Sequence, residues 1–535
     1  MRIADMDDRR RFQALGAGLL AGGVASLAMT LLMVSLRYAW GVATPAELTG
    51  DRLAPTLTIA QFFGMLDRFG GYNELKQIGV TAVLVGQLAV GLLGGVLYAL
   101  LVEHQRTRSP DHAQHFGEPR IGLLFVALFV GLLWLATLVF LWPVLGTHYA
   151  GLPPGQAAWV TTVGFLFCYG VYGLVLMWAH RVITGGATFR ASGLVNPPSN
   201  RRAVVVGGIA VLAAIATGTL IRRLYSLATF SYDGTRYSGP DIRPITPNDR
   251  FYVVTKNVID PVIRPVVWRL EVTGRVEQPR TYRFEDLLAM PAVTQETTLE
   301  CISNGVGDGL MSNALWKGVP LQHLIEAARP QTGVVSALLH AADGYSDSFA
   351  FEKAMDPTTL AVYEMNGSPL PVRHGYPVRI IVPGLFGEKN VKWVTRVELT
   401  DHHVKGFYAR QGWGPNFVIP TEARFDQPSD GQTIHMHMGS TVRLKGIAFA
   451  GARGISRVEV SFDDALIWHE ARIDYRGAPT AWVLWSFDWH LAQPGRYILV
   501  VRATDGTGTL QPPEDRSFAP EGATGYHRIA VQVEV

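Results

Sequence analysis

The run Thr297-Thr298-Leu299-Glu300-Cys301-Ile302-Ser303-Asn304 ends a β-type stretch on a cysteine. It then passes into the polar, glycine-rich loop Ser303-Asn304-Gly305-Val306-Gly307-Asp308-Gly309. A lone cysteine usually packs as a small hydrophobe. The loop that follows suits a site better than a core, and a single thiolate fits a metal whose other ligands come from a cofactor. Around it, from about 251 to 425, β-type runs such as Val266-Val267-Trp268-Arg269-Leu270-Glu271-Val272 and Val378-Arg379-Ile380-Ile381-Val382 alternate with helical patches such as 322–328. That pattern predicts a mixed α+β domain. From about 430 the helical signal stops. Thr441-Val442-Arg443-Leu444-Lys445-Gly446, Val458-Glu459-Val460-Ser461-Phe462 and the closing Ile529-Ala530-Val531-Gln532-Val533-Glu534-Val535 alternate at period two. They predict an all-β, immunoglobulin-like sandwich over 430–535.

What precedes this region is different in kind. Of 535 residues, 48% are hydrophobic and only 17% charged, with a mean hydropathy of +0.17. A wholly soluble chain rarely has that balance. The excess lies in uncharged runs at 12–36, 78–102, 121–143, 156–179 and 203–221. Each is about 19 to 25 residues long, enough to cross a hydrocarbon core of about 30 Å. None shows the polar stripe of a buried helix in a soluble protein. The sequence therefore predicts a five-helix transmembrane region over 1–223, in contact with a lipid bilayer.

Arginines set its orientation. Arg2, Arg9, Arg10, Arg11, Arg106, Arg108, Arg120, Arg181, Arg190, Arg201 and Arg202 fall on one side, against Arg37, Arg52, Arg68 and Lys76 on the other. The amino terminus is then inside. Five crossings put everything after 223 on the outer face of the cytoplasmic membrane, periplasmic or extracellular. The pair Arg201-Arg202 before the weakly apolar fifth run suits a twin-arginine export signal as well as a plain anchor. His148 and His180 lie at helix ends, and mid-membrane ionisable groups are missing, so the membrane half reads as an anchor or docking platform. Residues 224–250, with Pro240, Pro244 and Pro247, read as a linker.

Composition excludes other classes. Lys and Arg number 47 against 44 Asp and Glu, for a net charge of +3, which is not the basic footprint of a nucleic-acid binder. Two cysteines, Cys168 and Cys301, cannot make a disulfide scaffold, a Cys-ligated zinc site or an iron–sulfur cluster. No Cys-x-x-Cys-His stands in the chain, so covalent haem is not expected.

A series of ordered blocks extends outward from Cys301. Cys301-Ile302-Ser303-Asn304 is followed by Leu315-Trp316-Lys317-Gly318-Val319-Pro320-Leu321, Asp343-Gly344-Tyr345-Ser346-Asp347-Ser348 and Tyr363-Glu364-Met365-Asn366-Gly367-Ser368-Pro369-Leu370-Pro371. Then come His374-Gly375-Tyr376-Pro377-Val378-Arg379, Pro383-Gly384 and Lys389-Asn390-Val391-Lys392-Trp393-Val394. Over roughly 245–535 the sequence resembles the sulfite oxidase family of molybdopterin-dependent oxidoreductases, in a membrane-anchored bacterial form. The resemblance implies that Cys301 binds molybdenum beside the dithiolene of one molybdopterin. Asn257, His374, Arg379, Asn390, Val391 and Lys392 would hold that cofactor, with cations and rigid backbone donors suited to its phosphate; His340 is a looser candidate. Tyr345 falls at the family's active-site tyrosine. Arg453 matches an arginine that the β domain lends to the anion pocket. Both are read as catalytic.

The sequence departs from the family where positive charge is concerned. Thr255-Lys256-Asn257 replaces an arginine-asparagine-histidine segment, and Ile302-Ser303-Asn304-Gly305 supplies no cation. A doubly charged oxyanion would meet fewer partners than usual. The expected activity is oxygen-atom transfer on a small-molecule oxo donor or acceptor, in either direction: sulfite oxidation or reduction of an S- or N-oxide. Electrons would go to a quinone or cytochrome partner, and a homodimer through the β domain stays open. The rival reading is a degenerate, metal-free, membrane-tethered interaction module.

Overall fold

The computed structural model describes residues 2–108, 120–184, 228–435 and 440–534, with scattered positions between 208 and 223. Two compact units emerge. One comprises residues 1–53, 66–150 and 154–228, the other 54–65, 151–153 and 229–535.

The first unit is helical: α1 (Arg2–Trp40), α2 (Pro45–Leu53), α4 (Tyr72–Arg108), α5 (Arg120–Leu141) and α6 (Pro154–Thr184), while α3 (Ile59–Phe69) is divided, its residues up to Met65 counting with the second unit. Four stretches, Arg11–Trp40, Tyr72–Gln105, Ile121–Val144 and Pro154–Thr184, are long and apolar enough to cross a membrane. They contain the first four expected runs. The fifth, 203–221, and the Arg201-Arg202 pair lie largely outside the described residues. Arg37, expected in a loop, sits instead in the last turn of α1. There it is buried against Glu47 at 2.9 Å, with its guanidinium 3.5 Å from the Tyr149 ring centre. The helix simply runs four residues further, because a paired arginine need not end it.

Small residues let α1 and α4 touch through their backbones. A Cβ on Gly95 would fall on the carbonyl of Gly18 and on Gly22, and a Cβ on Gly91 would fall on Ser26. Such close approach brings many backbone and side-chain atoms of the two helices into van der Waals contact.

The second unit opens with a correction. Residues 228–250, expected as a linker, are built into the domain. Thr229 N–H donates to Val258 O (2.9 Å), Tyr237 N–H to Gly309 O (2.7 Å) and Thr246 N–H to Asn313 O (2.9 Å). Tyr237 and Thr246 are fully buried. The prolines suppress regular structure, yet the extended backbone still finds partners for its polar groups. Residues 54–65 also belong here: Gln411 Nε2 donates to Ala54 O (3.0 Å), and the Phe63 ring lies 6.3 Å from Trp413 and 5.4 Å from Phe518.

Two sheets carry the α+β part. In one, the strands run in the order Arg280–Arg283, Arg269–Gly274, Val394–Thr400, Ser336–Ala341, Ser346–Ala350, with only the second and third parallel. In the other, Val293–Glu300 pairs Met311–Pro320, then Leu360–Met365, which also pairs Arg379–Ile381. Trp268, Leu270, Leu339, Trp393 and Val397 fill the core of the first. Helices are short, and Leu321–Glu326 is the helical patch expected near 322–328.

The remainder is all β. One sheet runs Glu422–Gln427, Thr441–Phe449, Val483–His490, Arg472–Arg476, and the other Thr433–His435, His527–Glu534, Gly495–Asp505, Ile455–Ser461, His469–Glu470. Phe425, Leu444 and Trp485 from the first share a core with Val458, Leu499 and Val531 from the second, so the sheets form a sandwich. Its first strand begins at Glu422, inside the range expected for the preceding domain.

Candidate active site

Cys301 is the first residue beyond the strand Val293–Glu300. Its N–H donates to Leu310 O (3.0 Å), and Asn304 staples the loop: its Nδ2 donates to Glu300 Oε1 (3.2 Å) and its Oδ1 accepts from Leu310 N–H (2.9 Å). Gly307, at φ +86°, lies against the His527 ring where any Cβ would collide. This is why a glycine-rich loop stands here. The thiol is partly exposed and bonds Ser303 Oγ at 3.1 Å. Burial pushes it up to about 11, and Glu388 and Glu300 add to the rise. Among the described residues no group of three His, Cys, Asp or Glu could hold a metal by itself. A metal on Cys301 would take its remaining ligands from a cofactor.

An anion socket is built from the block 374–392. Arg379 is 5% exposed. Its Nη1 donates to His374 O (3.2 Å) and its Nη2 to Asn390 O (3.0 Å), while its buried Nε has no partner. Among the described residues no carboxylate pairs with it, and burial lowers it to about 10. His374 is buried, and its Nε2 donates to Asn248 O (3.0 Å). Burial and the neighbouring Arg379 hold its pKa down at about 3, so the ring is neutral. Lys392 Nζ donates to Arg373 O (3.2 Å); burial lowers it while Asp260 raises it. A half-satisfied buried cation among further cations is what a phosphate would complete. The donor set therefore fits a phosphorylated cofactor.

The other expected residues connect to this socket in different ways. Asn390 uses its side chain as a staple, accepting from Val382 N–H (2.7 Å) and donating to Phe386 O (3.1 Å). Val391 contributes its carbonyl to Ile380 N–H (2.9 Å). Asn257 is buried and donates to Asp343 Oδ2 (3.0 Å) and Asp260 Oδ1 (3.2 Å). Asp343 in turn accepts from Tyr345 N–H (3.0 Å), and the Tyr345 hydroxyl is shared between Asp347 Oδ2 and Glu388 O, both at 3.0 Å. Asn257, Asp343, Tyr345, Asp347 and the Glu388 carbonyl are thus joined by one run of hydrogen bonds.

Arg453 is bonded elsewhere. Its Nε donates to Asp505 Oδ2 (2.8 Å) and its other nitrogens to Ile419 O and Thr421 Oγ1, each at 3.2 Å. It borders a cavity of about 400 Å³ that Arg516 and Glu514 also line. His340 pairs with Glu398 (2.9 Å) and Arg396 (3.3 Å).

Sequence reading missed four residues. Tyr252, Tyr408, Glu388 and Glu300 all interact electrostatically with Cys301 or with one another. Tyr408 sits on the helix Phe407–Gln411, far from any quoted block, and no local signal marks it. Glu388 lies one residue before the quoted run Lys389–Val394, in the gap after Pro383-Gly384, and no local signal marks it.

Residues 257–408 match the description "Oxidoreductase molybdopterin binding domain", and residues 417–534 match "Mo-co oxidoreductase dimerisation domain". The chain belongs to the sulfite oxidase family. Among its relatives, the mitochondrial sulfite oxidase of Mus musculus is 30% identical over 344 residues, 54% of this chain and 62% of that protein. The sulfite oxidase of Rattus norvegicus is 29% identical over the same length. A nitrate reductase [NADH] of Lotus japonicus is 27% identical over 329 residues, 50% of this chain and 36% of that protein. This sulfite oxidase family member thus spans less than two thirds of the length of those relatives. A crystal structure of the sulfane dehydrogenase SoxCD from Paracoccus pantotrophus superposes with a TM-score of 0.48 at 27% identity, over 55% of this chain and 84% of that one.

Proposed function

We propose that residues 251–425 bind one molybdopterin and that the chain moves an oxygen atom to or from a small oxyanion, S-oxide or N-oxide. The apolar runs of residues 1–223 anchor this activity at the outer face of a cytoplasmic membrane. The observation that carries the proposal is Arg379, a buried cation with an orphaned Nε beside His374 and Lys392. A fold tolerates such a charge where an anion meets it.

In this reading Arg379, Lys392 and His374 take the cofactor's phosphate, and Asn257 with the backbone of Asn390 and Val391 takes its polar ring. Cys301 would hold the metal, as thiolate. The bound molybdenum cofactor supplies two-electron chemistry with oxygen-atom exchange. Tyr345, with its hydroxyl fixed by Asp347 and the Glu388 carbonyl, orients what approaches Cys301. Arg453 acts at one remove. It holds Ile419, whose N–H donates to Gly384 O (3.0 Å), and so braces the turn leading to Glu388. Electrons pass to a quinone or cytochrome. The match of 417–534 to a dimerisation domain supports a homodimer through the sandwich.

The test is molybdenum content and visible absorbance of the purified full chain, titrated with sulfite and then with methionine sulfoxide. Bleaching by sulfite marks an oxidase, and reoxidation of the reduced protein by the sulfoxide marks a reductase. A chain that never carries molybdenum when cofactor is plentiful refutes the proposal and leaves the interaction module.

A further inference from the structure

The loop of residues 260–268 in the second unit is anchored on one side and bare on the other. Ile263 is buried beneath Gly151. At φ +89°, a Cβ on that glycine would fall on Ile263 Cγ2 and lie 3.4 Å from Trp268 Cδ1. Val262 and Val266 are 66% and 73% exposed, and Arg264 between them is exposed too. They stand on a turn that pairs its own polar groups. Val267 N–H and Trp268 N–H donate to Arg264 O at 3.1 and 3.2 Å. Arg269 Nη1 donates to Val266 O (2.9 Å) and Trp268 O (2.6 Å). The buried Trp268 ties the turn to the sheet core, its Nε1 donating to Val394 O (2.9 Å).

The strip that covers Ile263 leads to an apolar helix. Gly151–Pro153 count with the second unit, and the next residue, Pro154, begins α6, which is long and apolar enough to cross a membrane. Three residues of extended chain reach about 10 Å, so Ile263 is tethered close to one end of that helix.

We infer that the loop 262–266 is a lipid-docking surface of the second unit, seated at the headgroup level of a bilayer containing anionic lipids. This rests on the reading of residues 1–223 as a membrane anchor and adds to it a contact made by the other unit. Exposed valines are ordinary on a protein surface when they stand singly. Here two flank an arginine, the arrangement in which apolar side chains enter the acyl boundary while the cation stays among phosphates. Arg264 and Arg269 complement anionic headgroups. The loop's one acidic residue, Asp260, is buried and bonded to Tyr232 and Asn257. The paired carbonyls and amides of the turn suit a medium with little water. Two valines and an arginine fall far short of the about 800 Å² per side of a stable protein interface. A shallow lipid contact suffices for a loop whose tether already holds it nearby. Docking keeps one face of the second unit on the bilayer instead of leaving the unit to swing on its connecting strips.

The experiment uses the full chain in nanodiscs of phosphatidylcholine and phosphatidylglycerol. A thiol-reactive fluorophore is placed by Val262→Cys, Val266→Cys or, as a control of like exposure on the sandwich, Leu466→Cys; the unsubstituted chain is the blank for Cys168 and Cys301. Quenching is measured with nitroxide-bearing lipid and with aqueous iodide. Labels at 262 and 266 are expected to be quenched by the lipid nitroxide at least about threefold more than the label at 466, and by iodide at least about threefold less. Iodide quenching at 262 and 266 equal to that at 466 overturns the inference. So does shielding from both quenchers, which would mean that protein covers the loop. A chain that does not enter the discs at all is a failure of the anchor reading, and the inference falls with it; incorporation, assayed first by co-elution with the discs, tells the two failures apart.

Discussion

Arg379→Met separates what the protein needs to fold from what it needs to hold a cofactor. In the cofactor-free fold, burial lowers the Arg379 guanidinium to about 10, a penalty of about 3 kcal/mol on its charged form. The orphaned Nε adds roughly 1–3 kcal/mol. Against this stand two charge-assisted bonds to the carbonyls of His374 and Asn390, worth about 1.5–3 kcal/mol each. The terms nearly cancel. Met keeps the packing against the Trp316 ring, whose centre lies 5.1 Å from the guanidinium carbon. Cofactor-free Arg379→Met is therefore expected within about 2 kcal/mol of wild type, a shift of roughly 4–8 °C at most. Loss of one cation against a phosphate charge at about 4 Å costs about 4 kcal/mol at an effective dielectric of 20, or about three orders of magnitude in cofactor affinity. The assay is molybdenum per chain by mass spectrometry, with thermal unfolding of the cofactor-free forms alongside. Stoichiometric molybdenum in the variant would refute the reasoning. So would a cofactor-free variant destabilised by more than about 4 kcal/mol, since Arg379 would then be a structural residue.

Three further outcomes are expected. Cys301→Ser should lose molybdenum while unfolding within about 1 kcal/mol of the cofactor-free wild type, because the thiol's one side-chain bond is to Ser303. His527 accepts the Phe425 N–H on Nδ1 and is held down at about 4 by burial and Arg424. The unfolded chain therefore takes up the proton first, and stability should fall by up to about 3 kcal/mol as pH drops from about 6.5 to 4; His527→Gln should flatten that slope in denaturant titrations. Gly95→Val would drive a side chain into the Gly18 carbonyl. It should cost about 1–3 kcal/mol or more, read as a lower unfolding temperature of the helical half in detergent and faster proteolysis there.

Hydropathy made four long apolar helices legible because length and apolarity are written directly in the sequence. It misjudged their ends: α1 carries Arg37 inside its last turn because Glu47 and Tyr149 receive it. Period-two alternation revealed the sandwich, but not that Glu422–Gln427 joins it, since a strand at a domain boundary is defined by its partner, Thr441–Phe449. The block around His374 and Arg379 pointed to residues that the structure does bring together, a buried histidine beside the cations Arg379 and Lys392. Glu388 and Tyr408 escaped because a residue's part in a site is set by what folds beside it. Tyr408 lies more than a hundred residues beyond Cys301 and meets it only in space. The polar stretch 228–250 misled for the opposite reason: its composition is that of a spacer, while its backbone bonds are those of a domain.

The twelve residues Ala54–Met65, lying in sequence between α2 and α4 of the first unit, count structurally as part of the second. A fragment made by cutting the chain near residue 228 would leave that strip behind. Trp413 and Phe518 would face water where Phe63 had covered them, and the helix bearing Tyr408 would lose the Gln411 bond to Ala54. Such a truncate would be sticky and incompletely formed at its active end, and a synthetic peptide of residues 54–65 added in trans should restore it. Any attempt to isolate the second unit has to bring along this short piece from the middle of the first.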